Sequence, residues 1–217
     1  MRAANEQERP QANRERALDR PPPRASGYRA DMRPAGLLLA PGSGAGRDHR
    51  TLVAVDDATD LPTRRIDLPN RLRGSSAPDR PGPAIERLRA QADELAASLG
   101  VGPERIVLGG RSFGGRMASM AVAQGQPAAG LVLLSYPLHP PGKPDRLRVE
   151  HLPDVRVPVL AVSGERDPFG SPDELSEHLA SLGGPLTLVV VPGDHSPRDD
   201  SAVAAVVSDW LRTLGEP

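Results

Sequence analysis

Apolar residues in this chain gather into short continuous runs, at 36–40, 105–108, 129–135, 157–162 and 186–191, as strands buried on both faces require. A weaker strand is expected at 63–68. Between these runs the spacing lengthens to that of helices. Ile85, Leu88, Ala92, Leu95 and Leu99 recur at steps of three and four behind Pro83 and stop at Gly100, which predicts a helix over 83–99. Met117, Ala118, Met120, Ala121 and Val122 predict another, ending near Gly125. A third starts at Ser171, with Pro172 in its first turn and Glu174 completing a capping box. A closing helix covers 202–214, and 51–60 reads as a short, weakly helical crossover. Strands alternating with helices predict an α/β fold, a doubly wound and mostly parallel sheet with helices on both faces, forming one domain over 34–217. Residues 1–33 lack this periodicity. They carry eight arginines, five acids and Pro21-Pro22-Pro23, and read as a disordered tail.

In such sheets ligands bind beyond the carboxyl ends of the strands, and there the sequence places its distinctive residues. Gly110-Arg111-Ser112-Phe113-Gly114 is a G-x-S-x-G segment between the run Ile106-Val107-Leu108 and a helix-compatible stretch. That context predicts a tight strand-to-helix turn lifting the Ser112 hydroxyl out of the backbone, with small flanking residues because side chains there would strike neighbouring backbone. A serine hydroxyl needs a base to take its proton, and the base needs a carboxylate to fix its tautomer. His195 follows the last strand and Asp167 the strand before it, giving the chain order Ser112, Asp167, His195 found in α/β-hydrolases. Glu165 is an alternative carboxylate. Asp194 stands too close to the histidine to orient it and suits a turn. The oxyanion of a tetrahedral intermediate requires backbone donors, expected from Phe113 and from Ser43, with Gly44 next, in the loop after the first strand. A phosphate-binding nest is the other use of such a loop, but the G-K-[ST] ending of a P-loop is missing.

Composition narrows the chemistry further. Lys+Arg 27 nearly balance Asp+Glu 28, so no global field favours nucleic acid, and the acids interspersed in the tail argue against a basic arm. The chain has no cysteine, which removes disulfides, thiolate nucleophiles and cysteine metal sites together. His49, His139, His151 and His178 show no metal-ligand spacing, and no metal or other cofactor is expected. The apolar runs fall far short of the ~20 residues that cross a bilayer. A cytoplasmic enzyme acting on a small acyl substrate, with no nucleic-acid or membrane partner, is the resulting expectation. The alternative is a hydrolase-fold scaffold with little turnover. The loop 137–152 is rich in proline and expected near the site mouth.

Five segments carry a family resemblance: residues 39–46 (Leu-Ala-Pro-Gly-Ser-Gly-Ala-Gly), 109–116 (Gly-Gly-Arg-Ser-Phe-Gly-Gly-Arg), 135–142 (Ser-Tyr-Pro-Leu-His-Pro-Pro-Gly), 163–170 (Ser-Gly-Glu-Arg-Asp-Pro-Phe-Gly) and 193–195 (Gly-Asp-His). From about Gly36 to Leu214 the chain resembles small bacterial α/β-hydrolases of the dienelactone-hydrolase-like group, related to testis-expressed protein 30 and the third regulatory subunit of the KAT8 acetyltransferase complex. The resemblance implies the α/β-hydrolase fold and a Ser112, Asp167, His195 triad, with substrates undefined. Dienelactone hydrolases proper use a cysteine nucleophile, which this chain lacks, so their lactone substrate does not carry over. Relatives usually have one further strand before the glycine loop, for which residues 1–33 offer a weak candidate. Where hydrolases often show His-Gly, this chain has Pro41-Gly42, which keeps the backbone donor and loses a side chain.

Overall fold

Alternate residues of each strand feed opposite faces of one sheet, which is why the apolar runs are unbroken. The computed structural model describes residues 33–75, 77 and 80–215. Strands β1 (Gly36–Ala40), β2 (Thr63–Arg65), β3 (Ile106–Arg111), β4 (Gly130–Leu134), β5 (Val159–Gly164) and β6 (Leu186–Val191) pair in parallel in the order β2-β1-β3-β4-β5-β6. Leu38, Ile106, Leu108, Leu131, Leu133, Val159 and Ala161 join one core cluster. Leu37, Leu39, Val107, Val132, Leu134, Leu160 and Val162 join the other. That division follows from the two-residue period of a strand.

Helices α1 (Arg50–Ala58), α2 (Pro69–Leu72), α3 (Pro81–Ser98), α4 (Phe113–Ala123), α5 (Pro172–Leu179) and α6 (Asp200–Thr213) complete the layers. Leu88, Ala92 and Leu95 of α3, Met117 and Ala121 of α4 and Leu175 of α5 cover the first face. Leu52 and Val55 of α1, with Val203, Val207 and Trp210 of α6, cover the second. The doubly wound parallel sheet with helices on both faces expected from the sequence is therefore the observed architecture.

Several boundaries differ from expectation for local reasons. β2 is limited to Thr63–Arg65 because its side chains are polar and it lies at the sheet edge, although the Ile66 amide still donates to the Leu39 carbonyl at 3.0 Å. α3 begins at Pro81, ahead of Pro83, since proline fits any first-turn position that needs no amide hydrogen. β5 runs to Gly164, beyond the 157–162 segment, and α2 is a single turn without apolar periodicity. The tail at 1–33, apart from Arg33, lies outside the described residues, as does the weak strand candidate within it.

The glycines flanking the serine meet the steric demand directly. A Cβ on Gly110 would strike the Ala40 carbonyl, and one on Gly114 would strike the carbonyl of Ala40 and, at 2.5 Å, that of Pro41. The start of α4 thus rests on the end of β1, and the backbone there has no room to give. Gly114→Ala is expected to destabilise the protein by about 1–3 kcal/mol, read as a lower urea midpoint at unchanged slope.

Candidate active site

Ser112 adopts φ 51° and ψ −118°, a left-handed conformation costly for a residue with a Cβ. The turn is held from both sides. The Ser112 amide donates to the Leu134 carbonyl at 2.8 Å, and its carbonyl accepts from the Arg116 amide at 3.0 Å as α4 begins. The side chain is thereby directed away from the sheet, at the carboxyl end of β3.

Asp167 follows β5 and His195 follows β6, and register brings both to that rim. His195 Nε2 lies 2.9 Å from Ser112 Oγ, and His195 Nδ1 lies 2.8 Å from Asp167 Oδ2 and 3.0 Å from Oδ1. A carboxylate only accepts, so Nδ1 carries the proton and Nε2 is left free to accept from the serine hydroxyl. Asp167 is 4% exposed, and its charge is met by the Phe169 amide at 2.9 Å and the Ser163 hydroxyl at 3.4 Å as well as by the imidazole. Phe169 stacks over His195 with ring centroids 4.1 Å apart, which fixes the ring and shields it from water. Gly164 lets the end of β5 touch the 193–195 loop, since a Cβ there would strike the Asp194 backbone.

The rival carboxylates are used elsewhere. Glu165 turns outward and pairs with Arg166 at 2.5 Å, and Asp194 accepts from the Ser196 amide at 2.8 Å as a turn residue does. His49 caps α1 through the Thr51 amide and lies beside the site, its pKa lowered by burial and by the Arg111 charge. His151 meets the Ser119 hydroxyl at 2.7 Å, with its pKa lowered by burial and then by Arg116. His139 faces Glu174 at 3.4 Å, and His178 lies on α5. Among the described residues no group of three or more His, Asp or Glu could hold a metal ion.

Ser43, Gly44 and Phe113 line the same cavity as Ser112 and His195, a space of about 550 Å³. Among the described residues none of their three amides donates to an acceptor within the protein. Gly42 permits this approach, for a Cβ there would sit 3.2 Å from the Arg111 guanidinium and 3.6 Å from Ser112 Cβ. A separate cavity of about 360 Å³, lined by Arg33, Leu61 and Leu214, lies at the amino ends of the strands and contains no histidine.

Two residues that pattern reading passes over shape the site. Arg111 is 9% exposed, and its Nη2 donates to the His195 carbonyl at 2.7 Å and the Ser196 hydroxyl at 2.6 Å, tying the end of β3 to the histidine loop. Burial lowers its pKa, opposed by Asp167. Asn70, 2% exposed on α2, donates to the Ser43 carbonyl at 3.1 Å and so sets the plane of that loop. The available signal for Arg111 was a charged side chain at the end of an otherwise apolar run. Arg50 braces the same histidine loop from outside, donating to the Pro197 carbonyl at 2.8 Å and pairing with Asp200 at 3.0 Å.

A family model described as an alpha/beta hydrolase domain matches residues 33–206, and the chain belongs to that family. A dienelactone hydrolase from Anabaena variabilis is 25% identical with a TM-score of 0.66, over 85% of this chain and 88% of that one. A putative hydrolase of the alpha/beta superfamily from Xanthomonas campestris shares 21% identity at a TM-score of 0.63, over 83% and 99% of the two chains. Est1E from Butyrivibrio proteoclasticus, solved with ferulic acid bound, is 17% identical at a TM-score of 0.70, over 88% and 92%. The last two likenesses are of fold. Among the described residues no helix is long and apolar enough to cross a membrane.

Replacing Arg111 by Ala leaves the His195 carbonyl and the Ser196 hydroxyl without their donor, and is expected to cost about 1–3 kcal/mol. Hydrogen exchange at residues 194–198 should rise more than the global loss of stability accounts for.

Proposed function

We propose that this protein is a serine hydrolase of esters or related acyl compounds, working through an acyl-enzyme on Ser112. One observation carries the reading: the Ser112 hydroxyl, the His195 imidazole and the buried Asp167 carboxylate form a continuous hydrogen-bonded line at 2.9 and 2.8 Å. Ser112 Oγ attacks the substrate carbonyl while His195 Nε2 takes its proton, and Asp167 stabilises the resulting imidazolium. The carbonyl oxygen becomes an oxyanion received by the amides of Phe113 and Ser43, with that of Gly44 as the neighbouring donor. Each such donor is worth about 2.7–4 kcal/mol in the transition state. Collapse of the intermediate breaks the ester bond, and the leaving oxygen takes the proton from Nε2. Water, deprotonated by His195, then attacks the acyl-enzyme and returns Ser112 with its proton.

The strained backbone at Ser112 and the free amides beside it support this assignment, since neither has a packing purpose. Membership of an alpha/beta hydrolase family and the likeness to a dienelactone hydrolase support hydrolase activity in general. The narrower kinship with testis-expressed protein 30 and the KAT8 complex subunit rests on the five quoted segments.

A panel of p-nitrophenyl esters with short and long acyl chains tests the proposal. Ser112→Ala, His195→Ala and Asp167→Asn are each expected to lower kcat by about 10⁴-fold or more, as loss of a triad member does. Glu165→Gln should stay near the wild-type rate. Absence of turnover on every ester would favour a scaffold.

A further inference from the structure

The Ser112 cavity is lined by Arg111, Arg116 and Arg148, and among the described residues by no acid. Arg111 is committed to the histidine loop. The other two are not accounted for by the fold or by the chemistry proposed above.

Arg116 stands one helical turn beyond Ser112 on α4, so both residues lie on the same helix face. Its Nε is enclosed with no acceptor, and among the described residues no carboxylate pairs with its guanidinium. Arg148 approaches from the 137–152 loop. Its Nη1 donates to the Pro137 carbonyl at 3.2 Å, and its own carbonyl accepts from the buried Tyr136 hydroxyl at 2.6 Å, so this part of the loop is anchored. Burial and then the Arg116 charge hold the Arg148 pKa below its ordinary value. Two like charges thus converge, partly desolvated; Glu150 is near enough for its charge to reach Tyr136 and His151, but among the described residues no acid lines the cavity or pairs with either guanidinium, an arrangement that an anion would complete.

Their position also indicates which part of a substrate is concerned. The leaving group must stand near His195 Nε2 to receive its proton. Arg116 and Arg148 reach the cavity from α4 and from the loop 137–152, not from the loop that carries His195, and the acyl portion is assigned to their side.

We infer that Arg116 and Arg148 form a binding subsite for a carboxylate at the far end of the acyl group, so that the preferred substrates are monoesters of dicarboxylic acids. The subsite rests on the acyl-enzyme reading above and adds its specificity. Glutarate, a short dicarboxylate, and its esters serve as the probes.

Mono-p-nitrophenyl glutarate and p-nitrophenyl valerate share chain length and leaving group and differ in the terminal charge. Wild type is expected to favour the glutaryl ester in kcat/KM. Arg116→Gln and Arg148→Gln should each reduce the glutaryl-to-valeryl ratio by about tenfold or more, and added salt should reduce it in the wild type. Neither substitution orphans a carboxylate, so both variants are expected to fold. A wild-type ratio at or below one, or a ratio unchanged in both variants, overturns the subsite while leaving Ser112 chemistry standing. A second measurement needs no turnover: calorimetric titration of the Ser112→Ala protein with glutarate and with inorganic phosphate. Salt-sensitive glutarate binding that is lost when Arg116→Gln is added supports the subsite even if no ester is cleaved, in which case the hydrolase reading fails alone. No glutarate binding, or tighter binding of phosphate, overturns the carboxylate assignment.

Discussion

The left-handed turn at Ser112 is the constraint on which the site depends. It exists only because β1, β3 and the start of α4 approach one another closely enough that Gly110 and Gly114 admit no side chain. The strain at one serine is a cost of order 1–3 kcal/mol, offset by amide hydrogen bonds to Leu134 and Arg116 and by the two apolar layers that clamp the sheet. The product of that strain is a hydroxyl fixed at the rim, within reach of whatever the neighbouring strands deliver there. Because β4, β5 and β6 stack in parallel register beside β3, their carboxyl-terminal loops are delivered to the same rim.

Electrostatics then divides the rim into three parts. Asp167 is held in the interior by two donors besides the imidazole. Arg111 lies across the turn and fixes the histidine loop through backbone and hydroxyl oxygens rather than through an acid. Arg116 and Arg148 line the cavity, and among the described residues neither has an acidic partner. The same residue type therefore braces the His195 loop at one position and lines the Ser112 cavity at two others, and burial with hydrogen-bond partners tells the positions apart.

Much of the fold was legible because strands buried on both faces leave unbroken apolar runs and helices on a sheet leave three-and-four spacing. The elbow was legible because glycine at 110 and 114 is a steric demand written in the sequence itself. The paired edge strand was overextended because Ile66 and Leu68 are core residues reached by a chain that has already left β2. Helix α2 was invisible, as a four-residue turn has no period to read. Asn70 and Arg111 escaped as supporting residues because each acts on backbone oxygen remote in sequence, 27 and 84 positions away, and such contacts leave no local pattern. The arginine pair was hidden likewise, since nothing in its residues' spacing links 116 to 148.

The central claim is that Ser112 is the activated nucleophile of this chain. Treating the native protein with a fluorophosphonate, then measuring intact mass and mapping the modified peptide, tests it most directly. A single adduct is expected on the peptide carrying Ser112, absent when Asp167 is replaced by Asn under the same brief exposure. An unmodified protein, or an adduct on Ser43, Ser119 or Ser135 instead, would contradict it.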